Sequence, residues 1–475
     1  MFRLFARIRN FFSVEHMVKP ENRKGDLPTS KEAYRNLTRI AIPSVVEMVF
    51  MSLIGSVDVI MISPLGYQAI AAVGLVNQPR MLILSLFFAL DIGVTAIVAR
   101  RKGEDLPGDA NQTLRNALVI IIGLSVVIVT LALSFSRQLM QLAGAESDTI
   151  NQANEYFRIL VYFLPINALT MCINAAQRGV GNTRTTMIVN IAANVVNIFF
   201  NFLFIYKFGW GVAGDAWATG LGFVVGFVLC IVSLFGKRFS DMFLKLSIRD
   251  NWRLKKETVL SIFRVGGNAM IEQVALRVGF FTYAIIVAKL GTEAFAAHQV
   301  GMQYLNLSFN FGDGIGVAGT ALVGQMLGQN RPDLSTIYGK CSQRLALCVA
   351  LVMCSMMVIF RYPLAAIFIN PNVPANAVAF PLAAGILIMV ALFQPFQTSS
   401  VVISGCLRGA GDNLHVALVM IICVVGIRPT LAALAIFGFH LGLVGAWSAS
   451  LVDMIIRLTL MYKRFNSGKW QVIKV

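Results

Sequence analysis

Charge is scarce in this sequence: Asp, Glu, Lys and Arg supply 13% of its 475 residues, against 57% hydrophobic residues and a mean hydropathy of +0.72. No ordinary soluble domain of this length could carry that much apolar surface, so the chain reads as an integral membrane protein. Histidine is nearly missing. His16, His298, His415 and His440 are scattered, which leaves no cluster of His and acids for a membrane-embedded enzyme acting on lipids. The seven cysteines form no C-x-x-C and no His/Cys spacing suited to zinc. Most lie in or near apolar runs and read as small fillers. No glycine-rich loop is followed by the Lys and Ser/Thr that would cradle a nucleotide's phosphates. Work across the membrane must then draw on an ion gradient, and no cofactor is implied. A cleavable signal peptide is not visible either, because the first strongly apolar stretch begins near residue 40 behind a polar segment.

What the chain does have is apolar runs of about 20 residues, each long enough as a helix to cross a hydrocarbon core of about 30 Å. Twelve spans are expected, at about 40–62, 72–98, 117–135, 153–176, 185–206, 212–235, 260–288, 294–327, 342–360, 378–404, 415–437 and 441–462. The formal charge of +17 comes from basic residues that favour alternate loops. Nine of the 40 Lys and Arg precede the first span, while only Arg137, Lys207, Lys289 and Arg361 fall in loops on the opposite side. The positive-inside rule then places both termini in the cytoplasm, with the chain multi-pass in the inner (cytoplasmic) membrane. The basic excess is topology and does not imply nucleic acid. The opening "MFRLFARIRNFFSV" reads either as an interfacial helix on an anionic leaflet or as a disordered basic tail.

The second half of the chain repeats the first. A shift of 225 residues aligns "LGYQAIAAVG" at Leu65 with "LGTEAFAAHQ" at Leu290, "TAIVARRKG" at Thr95 with "TALVGQMLG" at Thr320, and Glu47 with Glu272. A shift of 230 aligns "QRGVGN" at Gln177 with "LRGAGD" at Leu407, and one residue more aligns "GVAGDAWAT" at Gly211 with "GLVGAWSAS" at Gly442. Six spans therefore occur twice. An even number of spans per copy keeps their topology the same, so the copies are related by an axis along the membrane normal and enclose a cavity. The expected organisation is a basic N-terminal segment over 1–38, an N-lobe over 39–236, a cytoplasmic linker over 237–259, a C-lobe over 260–463 and a tail over 464–475.

The stretches "IPSVVEMVFMSLIGSVDVIMISPLG", "LGTEAFAAHQVGMQ", "ALVGQMLGQNRPD", "QRGVGNTR" and "SGCLRGAGD" are individually weak signals. Together with the repeat and the twelve spans, they resemble the multidrug and toxic compound extrusion (MATE) family, prokaryotic type, from about residue 36 to 463. The resemblance implies an all-α fold of twelve transmembrane helices, in two six-helix lobes facing across a V-shaped central cleft. It also implies rocker-type export of small organic, often cationic, compounds in exchange for H+ or Na+, by a monomer whose other partner is the lipid bilayer. The alternative is a flippase or exporter of a lipid-linked or amphiphilic biosynthetic product. Such a cleft should carry several basic residues for phosphates, and few arginines fall in mid-span here.

An ionisable group in a spanning helix costs roughly 2.5–3.5 kcal/mol on insertion scales, so each needs a partner, a wet cavity or a function. Asp58 stands out because its partner in the repeat is Tyr283, so the acid belongs to one lobe only. A carboxylate in a low-dielectric site can exchange protons near neutral pH or ligate Na+ when ionised. Glu47 lies eleven residues before it on the same face and is matched by Glu272, which suits a cavity, gating or helix-pairing role in both lobes. Asn190, Asn194, Asn197 and Asn201 form one face of a helix, and the second copy has none of them. Asp313 and Arg428 fall inside spans of the second copy, and Asp91 and Asp453 read as helix-packing or cytoplasmic-half acids. Arg178 and Arg408, in the two RG-x-G turns, suit snorkelling to lipid phosphate.

By resemblance, Asp58 is at the cation-coupling position, Asn197 and Asn201 are at positions that face it, and Thr219 is at that of a further ligand. Proton-coupled prokaryotic members commonly have aspartate where this chain has Asn201. One carboxylate with amide and hydroxyl oxygens is a plausible Na+ cage at Asp58, Asn197 and Asn201, and H+ stays open beside it. The sodium-binding branch carries a second acid in span ten, where "QPFQTSSVV" offers only Gln394, Gln397, Thr398, Ser399 and Ser400. Gln397 is kept as a cavity candidate with Asn190, Asn194, Glu47, Glu272 and Asp313.

Overall fold

A computed structural model describes residues 10–143, 145, 149–235, 243–247, 249–369, 371 and 377–473. Among these the chain is helical, with no strand. The first copy consists of α1 (Ser30–Ile62), α2 (Tyr67–Gly103), α3 (Pro107–Ser134), α4 (Ser136–Leu142), α5 (Ile150–Tyr162), α6 (Leu164–Gly179), α7 (Thr183–Asn201) and α8 (Gly211–Phe235). The second consists of α9 (Lys256–Ala288), α10 (Thr292–Gly328), α11 (Pro332–Ile359), α12 (Arg361–Phe368), α13 (Ala379–Gly409), α14 (Asn413–Met420), α15 (Arg428–Ala433) and α16 (Gly442–Asn466).

The repeat is kept to the residue in several elements. Helices α2 and α10 both begin and end 225 residues apart, as do α3 and α11, and α8 and α16 are 231 apart at both ends. Turn chemistry repeats with them. Gly66 and Gly291 precede α2 and α10 with φ of 101° and 97°, a region where a side chain is strained. Pro107 and Pro332 open α3 and α11, where the missing N–H has no helical partner to lose. One proline diverges in effect. Pro165 follows a 50° break between α5 and α6, whereas its counterpart Pro395 sits inside the single helix α13.

Among the described residues, ten helices are long and apolar enough to cross a membrane, and the bent pair α5–α6 makes an eleventh. The remaining expected span is α10, which has the length of α2 but a polar series that includes His298, Gln299, Gln303, Asn306, Asn310 and Asp313. Large apolar side chains stand exposed on the helix flanks, Phe281 and Ile359 at 70% and Ile60 at 66%. Such surface is stable only against lipid.

The helices form two compact units. An N-lobe comprises Val46–Met270, and a C-lobe comprises Met1–Val45 with Ile271–Val475. Their boundaries, 45/46 and 270/271, are again 225 apart, so α1 and α9 each begin in one unit and continue in the other. Within each lobe, small residues let helices approach closely. Gly179 of α6 lies against the Thr95 carbonyl of α2, and Thr95 Oγ1 donates to the Ala175 carbonyl at 3.0 Å. In the C-lobe Gly409 faces the Thr320 carbonyl, and Thr320 Oγ1 donates to Gly405 at 2.8 Å.

The described part of the N-terminal segment belongs to the C-lobe. Val14 and Met17 are buried in its core, Lys340 Nζ donates to the Met17 carbonyl at 2.6 Å, and Asp333 accepts from the Lys24 N–H at 3.1 Å. Val14, Met17 and Val18 are thereby covered, with Met17 Sδ 3.7 Å from Cys341 Sγ of α11. Most of the opening stretch, residues 1–9, lies outside the described residues, as do residues 237–242 of the linker.

Candidate functional site

Four polar residues expected to act together lie in one cluster of the N-lobe. Asp58 is near the C-terminal end of α1, Asn197 and Asn201 are one turn apart on α7, and Thr219 is on α8. Asn201 Nδ2 donates to Asp58 Oδ1 at 3.1 Å. The Asn197 amide joins them: its nitrogen donates to Asp58 Oδ1 at 3.0 Å, and its oxygen accepts from the Thr219 hydroxyl at 3.1 Å and N–H at 3.2 Å.

Two further charged groups and a phenol complete this cluster, none of them singled out from the sequence. Asp215, only 1% exposed, lies against Tyr156 of α5 and Asn201 and interacts with Asp58. Arg80 of α2 acts on both carboxyls. Asp215 precedes Thr219 by four residues on α8, so the two share a face, a spacing visible in "GDAWATG".

Glu47 has a separate role on the same two helices. Its carboxylate, 1% exposed, accepts from Arg178, from Thr186 Oγ1 at 2.7 Å and from Asn190 Nδ2 at 2.7 Å. Asn190 accepts in turn from Asn174 at 3.3 Å. The asparagine stripe of α7 therefore serves two acids, Asn190 joining Glu47 while Asn197 and Asn201 face Asp58. Asn194 lies between, donating to the Asn190 carbonyl at 2.7 Å. In the C-lobe Glu272 pairs with Arg408, whose charge also interacts with Asp313. Arg178 and Arg408 are thus not lipid-phosphate contacts: each neutralises a buried acid of its own lobe, because an unpaired carboxylate there costs more than desolvating a guanidinium beside it. Gln397 is buried on α13, and neither of its amide atoms has a partner among the described residues.

Asp453, expected as a helix-packing acid, anchors a second buried charge cluster. Arg428 Nε and Arg457 Nη2 both donate to its Oδ2, at 2.8 Å and 2.6 Å. Among the described residues no group of three or more His, Cys, Asp or Glu has the arrangement of a metal centre.

Residues 43–203 and 269–434 match the family model MatE. The chain belongs to the MatE family. The two matched stretches begin in α1 and α9 and fall on the two copies of the repeat. A probable multidrug resistance protein NorM of Thermotoga maritima is 29% identical over 444 residues, covering 93% of this chain and 94% of that protein. The transporter YisQ of Bacillus subtilis, itself uncharacterized, is 27% identical over 90% of this chain and 93% of its own length. An outward-facing multidrug resistance MATE family transporter superposes with a TM-score of 0.86 at 23% identity, over 92% of this chain and 97% of that one. A MATE transporter in its straight conformation superposes equally well, with a TM-score of 0.86 over 96% and 99%. At these identities the solved structures establish the fold: an all-α membrane protein of the MatE type, in two lobes.

Proposed function

We propose that this MatE-family protein is a secondary active exporter of small organic compounds, driven by antiport of a monovalent cation at the N-lobe cluster. The names of its NorM relatives support the substrate class. The observation that carries the coupling site is its charge. Two carboxyls, Asp58 and Asp215, lie within electrostatic reach of one guanidinium, Arg80. When both are ionised one negative charge is left over, and in a buried site one bound H+ or one Na+ would neutralise it. Asn197, Asn201, Thr219 and the carboxylates supply the oxygens that a Na+ ion accepts. Asn201 holds Asp58 in place and touches Asp215, so loading either acid is sensed by the other. The ion-loaded and ion-free states would favour different conformations of the carrier, and substrate would exchange between them.

The test is efflux of a cationic dye from proteoliposomes with Na+ and H+ gradients imposed separately. One of the two gradients is expected to drive efflux by the native protein, and Asp58→Asn is expected to abolish that response while leaving protein in the membrane. Unimpaired gradient-driven efflux by Asp58→Asn would sink the assignment.

A further inference from the structure

The C-lobe contains the repeat's counterpart of the N-lobe cluster, and its register shows what has replaced each residue. Tyr283 corresponds to Asp58 by the shift of 225, while Ala446 and Ser450 correspond to Asp215 and Thr219 by the shift of 231. The helix between needs one more step. Helices α7 and α14 start 230 residues apart, yet α8 and α16 start 231 apart, so the C-lobe holds one extra residue between these points. The described backbone shows where it goes. Ile421–Ile427 widens into a π-helical turn, whereas the matching stretch 191–197 of α7 is regular α-helix. A turn closed by i→i+5 bonds absorbs one inserted residue without breaking the helix, and such turns recur at functional sites. Beyond it the register is 231, which puts Arg428 at the position of Asn197 and Ala432 at that of Asn201. Both carboxylates are lost in the copy, one hydroxyl is kept, and a guanidinium is gained.

That guanidinium takes up the space beside the Asp58 counterpart. The Arg428 side chain is 1% exposed, with its central carbon 5.8 Å from the ring centre of Tyr283 and 5.0 Å from that of Phe280. Asp453 on α16, 0% exposed, fixes it through Nε at 2.8 Å. Arg457, also on Asp453, brings the cluster to two guanidiniums on one carboxylate. A site with that charge repels any further cation.

We propose that Arg428 is a tethered cation: its guanidinium occupies the C-lobe position equivalent to the N-lobe cation site, so that position takes no ion from solution. The equivalence rests on the cation site proposed for the N-lobe, and thermal unfolding addresses the C-lobe directly. Thermal unfolding of the full-length protein in detergent is followed for the native chain, Arg428→Ala and Arg428→Ala/Asp453→Asn, with guanidinium chloride at low millimolar concentration or NaCl at the same ionic strength. Arg428→Ala should unfold at lower temperature, and guanidinium should recover at least half of the lost midpoint, with no recovery from NaCl or in the double variant. An Arg428→Ala midpoint that guanidinium does not move overturns the proposal. If that variant does not fold, hydrogen exchange on the native chain at one fixed pH decides: peptides of α14, α15 and α16 should exchange identically with and without Na+. Na+-dependent protection of those peptides overturns it. Failure of the N-lobe reading would appear elsewhere, as unimpaired efflux by Asp58→Asn, and leaves the guanidinium recovery to be read independently.

Discussion

The two lobes share a fold and differ in the sign of the charge left over in one buried cluster of each. In the N-lobe, two carboxyls face one guanidinium, with amide and hydroxyl groups around them. In the C-lobe, two guanidiniums face one carboxylate, with aromatic rings around them. The first arrangement is one cation short and the second has one to spare. A repeat that had to keep both sites for packing would have kept both charges. Their divergence, beside the strict retention of the Glu47–Arg178 and Glu272–Arg408 pairs, separates what the fold needs twice from what is needed once.

The largest expected effect breaks the charge count in the N-lobe. Asp215→Asn, like Asp58→Asn, should reduce ion-driven efflux to the level of protein-free vesicles, because either change leaves one carboxylate balanced by Arg80 and no charge for the ion. Retained coupling in Asp215→Asn would mean that Asp58 alone carries the ion. Next come the pairs the lobes have in common. Removing one partner of a buried ion pair costs about 3–5 kcal/mol, but the two acids are not equally supported. Glu47 keeps Thr186 and Asn190 when Arg178 is lost, whereas Glu272 Oε2 has no partner among the described residues even with Arg408 present. Arg408→Ala should therefore lower the unfolding midpoint more than Arg178→Ala, and equal losses would show that the hydroxyl and amide contribute nothing.

Much of this comparison is legible in the sequence, and the omissions have physical causes. The repeat isolates Asp58 and helical spacing puts the asparagines of α7 on one face, but only the family resemblance groups Asn197, Asn201 and Thr219 with Asp58, and they do meet. Asp215 escaped because it sits in a glycine-rich motif, "GVAGDAWAT", whose alignment drew attention to the small residues; its spacing from Thr219 was the available signal. The place of Arg178 and Arg408 at turns suggests lipid phosphate, yet their recurrence with Glu47 and Glu272 in both copies is a signal of partners. The change of shift from 230 to 231 shows that a residue is inserted but not where, so Arg428 could not be placed opposite Asn197 from letters alone; the π-helical turn at Ile421–Ile427 locates it.

A smaller effect sharpens the packing side. A methyl at Gly409 would come within 2.2 Å of the Thr320 carbonyl oxygen, and one at Gly179 within 2.8 Å of that of Thr95. Overpacking of this kind costs about 1–3 kcal/mol. Both Gly→Ala variants should unfold earlier, Gly409→Ala by the wider margin. The reverse order would indicate that α13 shifts more easily than the bent α5–α6 pair.

The smallest expected effect is at Thr219, where the repeat itself has tried a substitution. The C-lobe counterpart is Ser450, so a hydroxyl without the methyl is compatible with this helix packing. Thr219→Ser should keep the contact with Asn197 and leave both stability and ion-driven efflux near native. Thr219→Val keeps the shape but removes the oxygen that the Asn197 amide meets at 3.1 Å. A lost hydrogen bond of this kind costs about 1 kcal/mol, and a cation site would lose one ligand. Its apparent affinity for the driving ion should fall severalfold, read as a shift in the ion concentration that half-saturates efflux. If valine and serine behave alike, Thr219 holds Asn197 by shape alone and the ion is bound by the carboxylates and amides without it.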